Sequence, residues 1–169
     1  MVAVDSDVLA AALNRFAPGH ARASALLESL VNGEAHWALP WPAIHGFVRR
    51  VTHPHAVARP LSQANAWEFV RLLAESPAAR VLGPGPGHLA AVAEVLAFVP
   101  REGPPHPELE LVAVLREHGV AELISGDRRL RAYGFLRVRD PWGSVEAEAP
   151  AAARPRRYRR LAPRRPRDG

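Results

Sequence analysis

An α/β domain, with a central parallel sheet and helices on both faces, is the fold class this sequence predicts. Three observations predict it. Short apolar runs of strand length alternate with longer segments whose apolar residues recur at helical spacing. The strand-like runs are separated by those helical segments rather than by two-residue turns, and parallel strands need such crossovers. Hydrophobic residues make up 48% of the 169 positions, enough to bury one core.

The elements follow in order. VAVD at 2–5 is an apolar run ending in an acid and reads as a buried strand. Asp7 is placed to cap a helix in which Val8, Leu9, Ala12 and Leu13 are periodic, and Pro18-Gly19 breaks it. A second helix spans about 20–31 and stops at Asn32-Gly33. AHWAL at 35–39 is the next strand, ended by Pro40. Pro42 suits a helix start, and Ile44, Phe47, Val48 and Val51 mark the buried face of that helix. THPHAVARP at 52–60 is a loop; Ser62 then caps a helix over about 63–75. RVL at 80–82 is a short strand, GPGPG at 83–87 a turn, and 88–98 a helix. After the loop at 101–107, Glu108 opens a helix that runs to His118 and ends at Gly119. AELIS at 121–125 and FLRV at 135–138 are the last strands.

This organisation puts one domain at 1–144 and a tail at 145–169. The tail is rich in Arg, Pro and Ala, with almost no large apolar residue, and is expected to be disordered. It also accounts for the charge. All 22 basic residues are arginine; 8 of them lie in the tail beside 3 of the 17 acids, which leaves 14 of each sign in 1–144. The net charge of +5 is therefore no sign of a basic nucleic-acid-binding fold. The absence of cysteine excludes disulfides, thiolate metal sites and cysteine nucleophiles. No apolar run reaches the roughly 18 residues of a membrane span, and the N-terminus lacks a secretory pattern. A cytoplasmic protein with no membrane partner is expected.

The chemistry is expected where the carboxyl ends of parallel strands form a crevice. Asp5 ends the first strand, Asp127 follows the strand at 121–125, and Glu108 begins a helix. Several carboxylates in one place repel each other, and a hard divalent cation, Mg²⁺ or Mn²⁺, relieves this through oxygen ligands. Such a site suits phosphodiester hydrolysis. Singly, each acid has a plainer reading: helix cap for Asp5 and Asp7, helix start for Glu108, turn residue for Asp127. His45, His53 and His106 match no metal-ligand spacing.

Four segments carry a family resemblance over about 1–143: VDSDVL at 4–9, WALPWPAIHGFVRRVTHP at 37–54, ELELVAVLREHGVAELISGDRRL at 108–130 and FLRVRDPW at 135–142. In this order and spacing they resemble the PIN-domain ribonucleases, the VapC-type toxins of type II toxin–antitoxin systems. The resemblance implies a PIN-like three-layer fold, Mg²⁺-dependent RNA cleavage, a cognate antitoxin and a homodimer. Carried over by position, Asp5, Glu108 and Asp127 are the metal-binding acids, and Ser125 stands for the family's threonine in the catalytic set. Asp7 replaces a common Asn. Gly46 stands where the family has a second acid, and Arg129 replaces the last Asp of its Thr-x-Asp-Arg-Asp motif. Glu108 is one methylene longer than the usual Asp, which moves its oxygens by roughly 1.5 Å.

Two other readings compete. The Asp-x-Asp of DSDVL fits a haloacid-dehalogenase-like phosphatase, with Asp5 as nucleophile and Asp7 as acid, although that class generally uses a lysine and this chain has none. A PIN domain that binds antitoxin or RNA without cutting is favoured by Gly46 and Arg129. Trp67 and Phe69 are candidates for a partner surface, with Trp67 fitting the core equally well.

Overall fold

The computed structural model describes residues 1–57, 59–98 and 107–143. In chain order the elements are β1 (Val2–Val4), α1 (Ser6–Leu13), α2 (His20–Asn32), β2 (Trp37–Pro40), α3 (Trp41–Thr52), α4 (Gln63–Ala74), β3 (Ala79–Leu82), α5 (His88–Leu96), α6 (Leu109–Glu117), β4 (Glu122–Ile124) and β5 (Arg137–Arg139), with a 3-10 turn at Arg128–Ala132 before β5. The strands form one five-stranded sheet in the order β3-β2-β1-β4-β5, and every neighbouring pair is parallel. The predicted α/β class is the one found.

Alternation along the strands sends side chains to two cores. Val4, Trp37, Leu39 and Ile124 join a cluster with buried residues of α1, α2, α3 and α4. Ala3, Ala38 and Leu123 join a second cluster with α5, α6 and the 3-10 turn. Adjacent residues on a strand point to opposite faces, so these short apolar strands supply both layers. Helix α6 is unusual in being buried on all sides through Leu111, Val112, Ala113, Val114 and Leu115. It ends as expected: Gly119 has φ +64°, Gly119 N–H donates to Arg116 O (3.2 Å) and Val120 N–H to Leu115 O (2.9 Å). A residue with a Cβ is strained in that conformation.

Several expectations need correction. Helix α1 begins at Ser6, two residues earlier than read, and its N-cap is Asp5, whose side chain accepts from Ser6 N–H; Asp7 lies inside the first turn. Strand β2 is shifted to 37–40, because Pro40, expected to end it, still pairs in register with Leu82. Strand β5 is shifted to 137–139: Leu136 N–H donates to Tyr133 O (2.8 Å), which holds 135–136 in a turn. The 3-10 turn had no periodic signal. Phe69 is buried at 5% exposure and packs 5.2 Å from Phe47, ring centre to ring centre, so it is core and not a partner surface; Trp67 is 49% exposed. His106 and the tail at 145–169 lie outside the described residues.

Candidate active site

The chain runs from β1 outward to β2 and β3, then returns to build β4 and β5 on the other side of β1. The switch point lies between β1 and β4, where an open parallel sheet forms its crevice at the carboxyl ends. Asp5 and Ser125 are the residues that follow these two strands. They meet: Ser125 Oγ donates to Asp5 Oδ2 at 2.6 Å, both side chains buried. Asp5 Oδ1 accepts from Ser6 N–H at 2.5 Å. The same Ser125 hydroxyl accepts from Asp127 N–H at 3.0 Å, so one oxygen ties the first acid to the loop carrying the third.

Glu108 precedes α6 and is half-buried. Burial raises its affinity for a proton, and the negative charges of Asp5 and Asp127 add to this; Arg49 and Arg129 oppose it. Glu108 is thus held within electrostatic reach of both other acids. Asp127 caps the 3-10 turn and forms a two-pronged ion pair with Arg129, Nη2 to Oδ2 at 2.6 Å and Nε to Oδ1 at 2.9 Å. The pairing raises the pKa of Arg129 further. Hydrogen bonds thus tie Asp5 to the loop of Asp127, which carries a guanidinium on its carboxylate, while Glu108 is linked to both by charge alone. Among the described residues, no group of three His, Asp or Glu is arranged to hold a metal ion. His45 is exposed, and its ring lies 5.4 Å from that of Trp41.

Sequence reasoning missed what Asp7 does. Its Oδ2 accepts from Gly126 N–H at 2.8 Å and its Oδ1 from Val8 N–H at 2.7 Å, so it ties α1 to the loop between Ser125 and Asp127. Burial raises its pKa, as does the charge of Asp5, while these two hydrogen bonds and Arg50 lower it. The loop needs its glycine: a Cβ at Gly126 would lie 2.7 Å from Asp7 Oδ2 and inside contact distance of the Trp142 indole. Gly46 closes the other side, where a Cβ would lie 3.0 Å from Ser6 Cβ. The position lacking the acid thus abuts the residue after Asp5. The tripeptide Ser-Gly-Asp was visible in the sequence; that Asp7 reaches it was not, because 119 residues separate them.

No protein-family model matches the chain. Curated relatives do. The ribonuclease VapC48 of Mycobacterium tuberculosis is 35% identical over 138 residues, covering 82% of this chain and 95% of that protein. The chain belongs to the VapC ribonuclease family. Ribonuclease VapC43 of the same organism is 33% identical over 141 residues, covering 83% of this chain and 95% of its own. VapC membership removes the phosphatase alternative. Among solved structures, M. tuberculosis VapC20, described as a Sarcin-Ricin loop cleaving toxin, superposes with a TM-score of 0.54 at 15% identity, covering 79% of this chain and 96% of that one. VapBC2 from Rickettsia felis, bound to a promoter DNA fragment, gives 0.54 at 10% identity, covering 82% and 98%. These two likenesses establish the VapC fold. No helix among the described residues is long and apolar enough to cross a membrane.

Proposed function

We propose that this VapC-family protein is a divalent-cation-dependent endoribonuclease, the toxin of a toxin–antitoxin pair, with Asp5, Glu108, Asp127 and Ser125 as its working set. The observation that carries this is the buried hydrogen bond from Ser125 to Asp5 at the β1/β4 switch point, with Glu108 close enough to feel the charge of Asp5. The chemistry of the donor set suits a hard cation, although among the described residues its acids are not gathered around one point. The set is all oxygen, and Glu108 stands in a field of like charge that a cation would relieve. Asp5 and Glu108, with Asp127 beside them, would hold Mg²⁺ or Mn²⁺. Such an ion, when bound, activates a water and neutralises charge on the phosphodiester oxygens.

The rest of the work belongs to the chain's own groups. The Ser125 hydroxyl and the Ser6 amide donate to one oxygen each of Asp5, holding its carboxylate in one orientation. Arg49 and Arg129 bring positive charge beside Glu108, where RNA phosphates can pair with it. Asp7 holds the Ser125–Asp127 loop against α1.

The test is cleavage of a structured RNA with Mg²⁺ or Mn²⁺, beside an Asp5→Asn control. Cleavage that needs metal and vanishes in the control supports the reading; a folded protein that neither cuts nor binds metal by calorimetry sinks it. A second reading, an antitoxin- or RNA-binding module impaired in catalysis, is favoured by Gly46 and by the Arg129–Asp127 pair. Under it, the wild type is inert and the pair Gly46→Glu with Arg129→Asp gains metal-dependent cleavage. A cytoplasmic location, a cognate antitoxin and a homodimer belong to the same proposal, and light scattering with and without a co-expressed antitoxin tests the assembly.

A further inference from the structure

Helix α3 carries Trp41, His45 and Arg49 at four-residue spacing, which stacks them along one face of the helix. His45 and Arg49 are exposed and Trp41 is half-buried. The Trp41 ring is tilted against His45 on one side, with centres 5.4 Å apart. On α4, Trp67 stacks with Trp41 at 6.2 Å and an interplanar angle of 19°. The three rings form a short ladder, and Trp67 leaves it 49% exposed. Half of the Trp67 indole is thus free to stack with a further ring.

Helix α3 carries the ladder and also borders the acidic residues. His45 adjoins Gly46, the position that abuts Ser6 and hence Asp5. Arg49, one turn further, acts on Glu108. Aromatic rings beside an arginine and a phosphodiester-cutting site match the chemistry of an unpaired nucleotide: a π face for the base, a cation for its phosphate. Paired bases in a duplex are already stacked and present no free face.

We propose that the Trp41–Trp67 stack, with His45 against it and Arg49 further along α3, is a subsite in which Trp67 stacks an unpaired nucleobase of the RNA substrate. This rests on the ribonuclease reading above. The base lies on the outer face of Trp67, and the strand that carries it runs past His45, so that the phosphate of a following nucleotide reaches Arg49, about 12 Å along α3 from Trp41.

The test separates binding from cutting. A labelled single-stranded oligoribonucleotide and the same sequence as a duplex are titrated with the full chain in EDTA, by anisotropy and by indole quenching. Cleavage with Mg²⁺ is measured separately. The expected result is that the single strand binds about tenfold tighter than the duplex, that Trp67→Ala removes about that factor, and that Trp67→Phe restores most of it. Both variants should melt as the wild type does. If stacking is seen without cleavage, the subsite stands and the ribonuclease reading fails. If Trp67→Ala binds both RNAs as the wild type does, the subsite is overturned, even where metal-dependent cleavage persists. Unchanged RNA binding with a changed oligomeric state, or with lost antitoxin binding, would likewise overturn it and make this face a protein contact.

Discussion

Ser125 is the residue on which the local geometry turns, since its hydroxyl serves Asp5 and the Asp127 amide at once. Ser125→Ala leaves a buried carboxylate oxygen short of a donor, which costs about 1.5–3 kcal/mol. Urea denaturation should register that loss, and Ser125→Thr should recover most of it by keeping the hydroxyl. Asp140 gives a pH-dependent counterpart. The Trp142 amide donates to its carboxylate at 2.9 Å, and with Arg128 and the Gly143 amide this holds its pKa below the ordinary aspartate value. A depressed carboxylate stabilises the fold above the unfolded-state pKa and loses that contribution as pH falls through the folded one. The 140–143 turn should therefore loosen only below about pH 4. Trp142 fluorescence should follow the change, and Asp140→Asn should abolish that transition. Asp140 belonged to no site in the sequence reading; only the paired amides reveal what it does.

Among the elements, α6 and the loop after β4 are the most constrained. Because Leu111 and Leu115 are fully buried in the enclosed middle of α6, truncating either leaves a cavity in the core. Leu111→Ala is expected to cost about 2–5 kcal/mol, measured by chemical denaturation. It should also displace Glu108, which sits at the start of the same helix. Gly126→Ala tests the loop: its Cβ meets Asp7 and Trp142, so we expect a cost of about 1–3 kcal/mol and loss of any metal-dependent cleavage as the Ser125–Asp127 segment shifts. Asp7→Ala, which keeps the space but removes the tie to Gly126 N–H, distinguishes crowding from tethering. Helix periodicity showed that these elements exist. The five consecutive apolar residues LVAVL go right round the helix and so point to the enclosure found at 111–115, but they do not say which elements enclose it.

For the whole molecule, every element described lies at or before Arg139, and the tail's composition offers little to bury. A chain ending at residue 144 is expected to melt in the same cooperative transition; a large loss of that transition would mean that the boundary is misplaced. If the tail's arginines do engage RNA phosphates, the truncation should also reduce the salt dependence of RNA binding.

The alternation of strand-like and helical segments was legible because apolar spacing, prolines and glycines act within a few residues of themselves. That pattern determined five parallel strands with six helices, and it put Asp5, Glu108 and Asp127 at element ends. Boundaries slipped where a cap or turn decided them, as at Asp5 and at Leu136. The rest was decided only by the tertiary structure. Asp7 finds Gly126 across 119 residues. Of two neighbouring aromatics on α4, Phe69 turns inward against Phe47, while Trp67 stacks outward on Trp41. These outcomes depend on which strands lie side by side and which helix packs on which face, and contacts so distant in sequence leave no periodic trace in it.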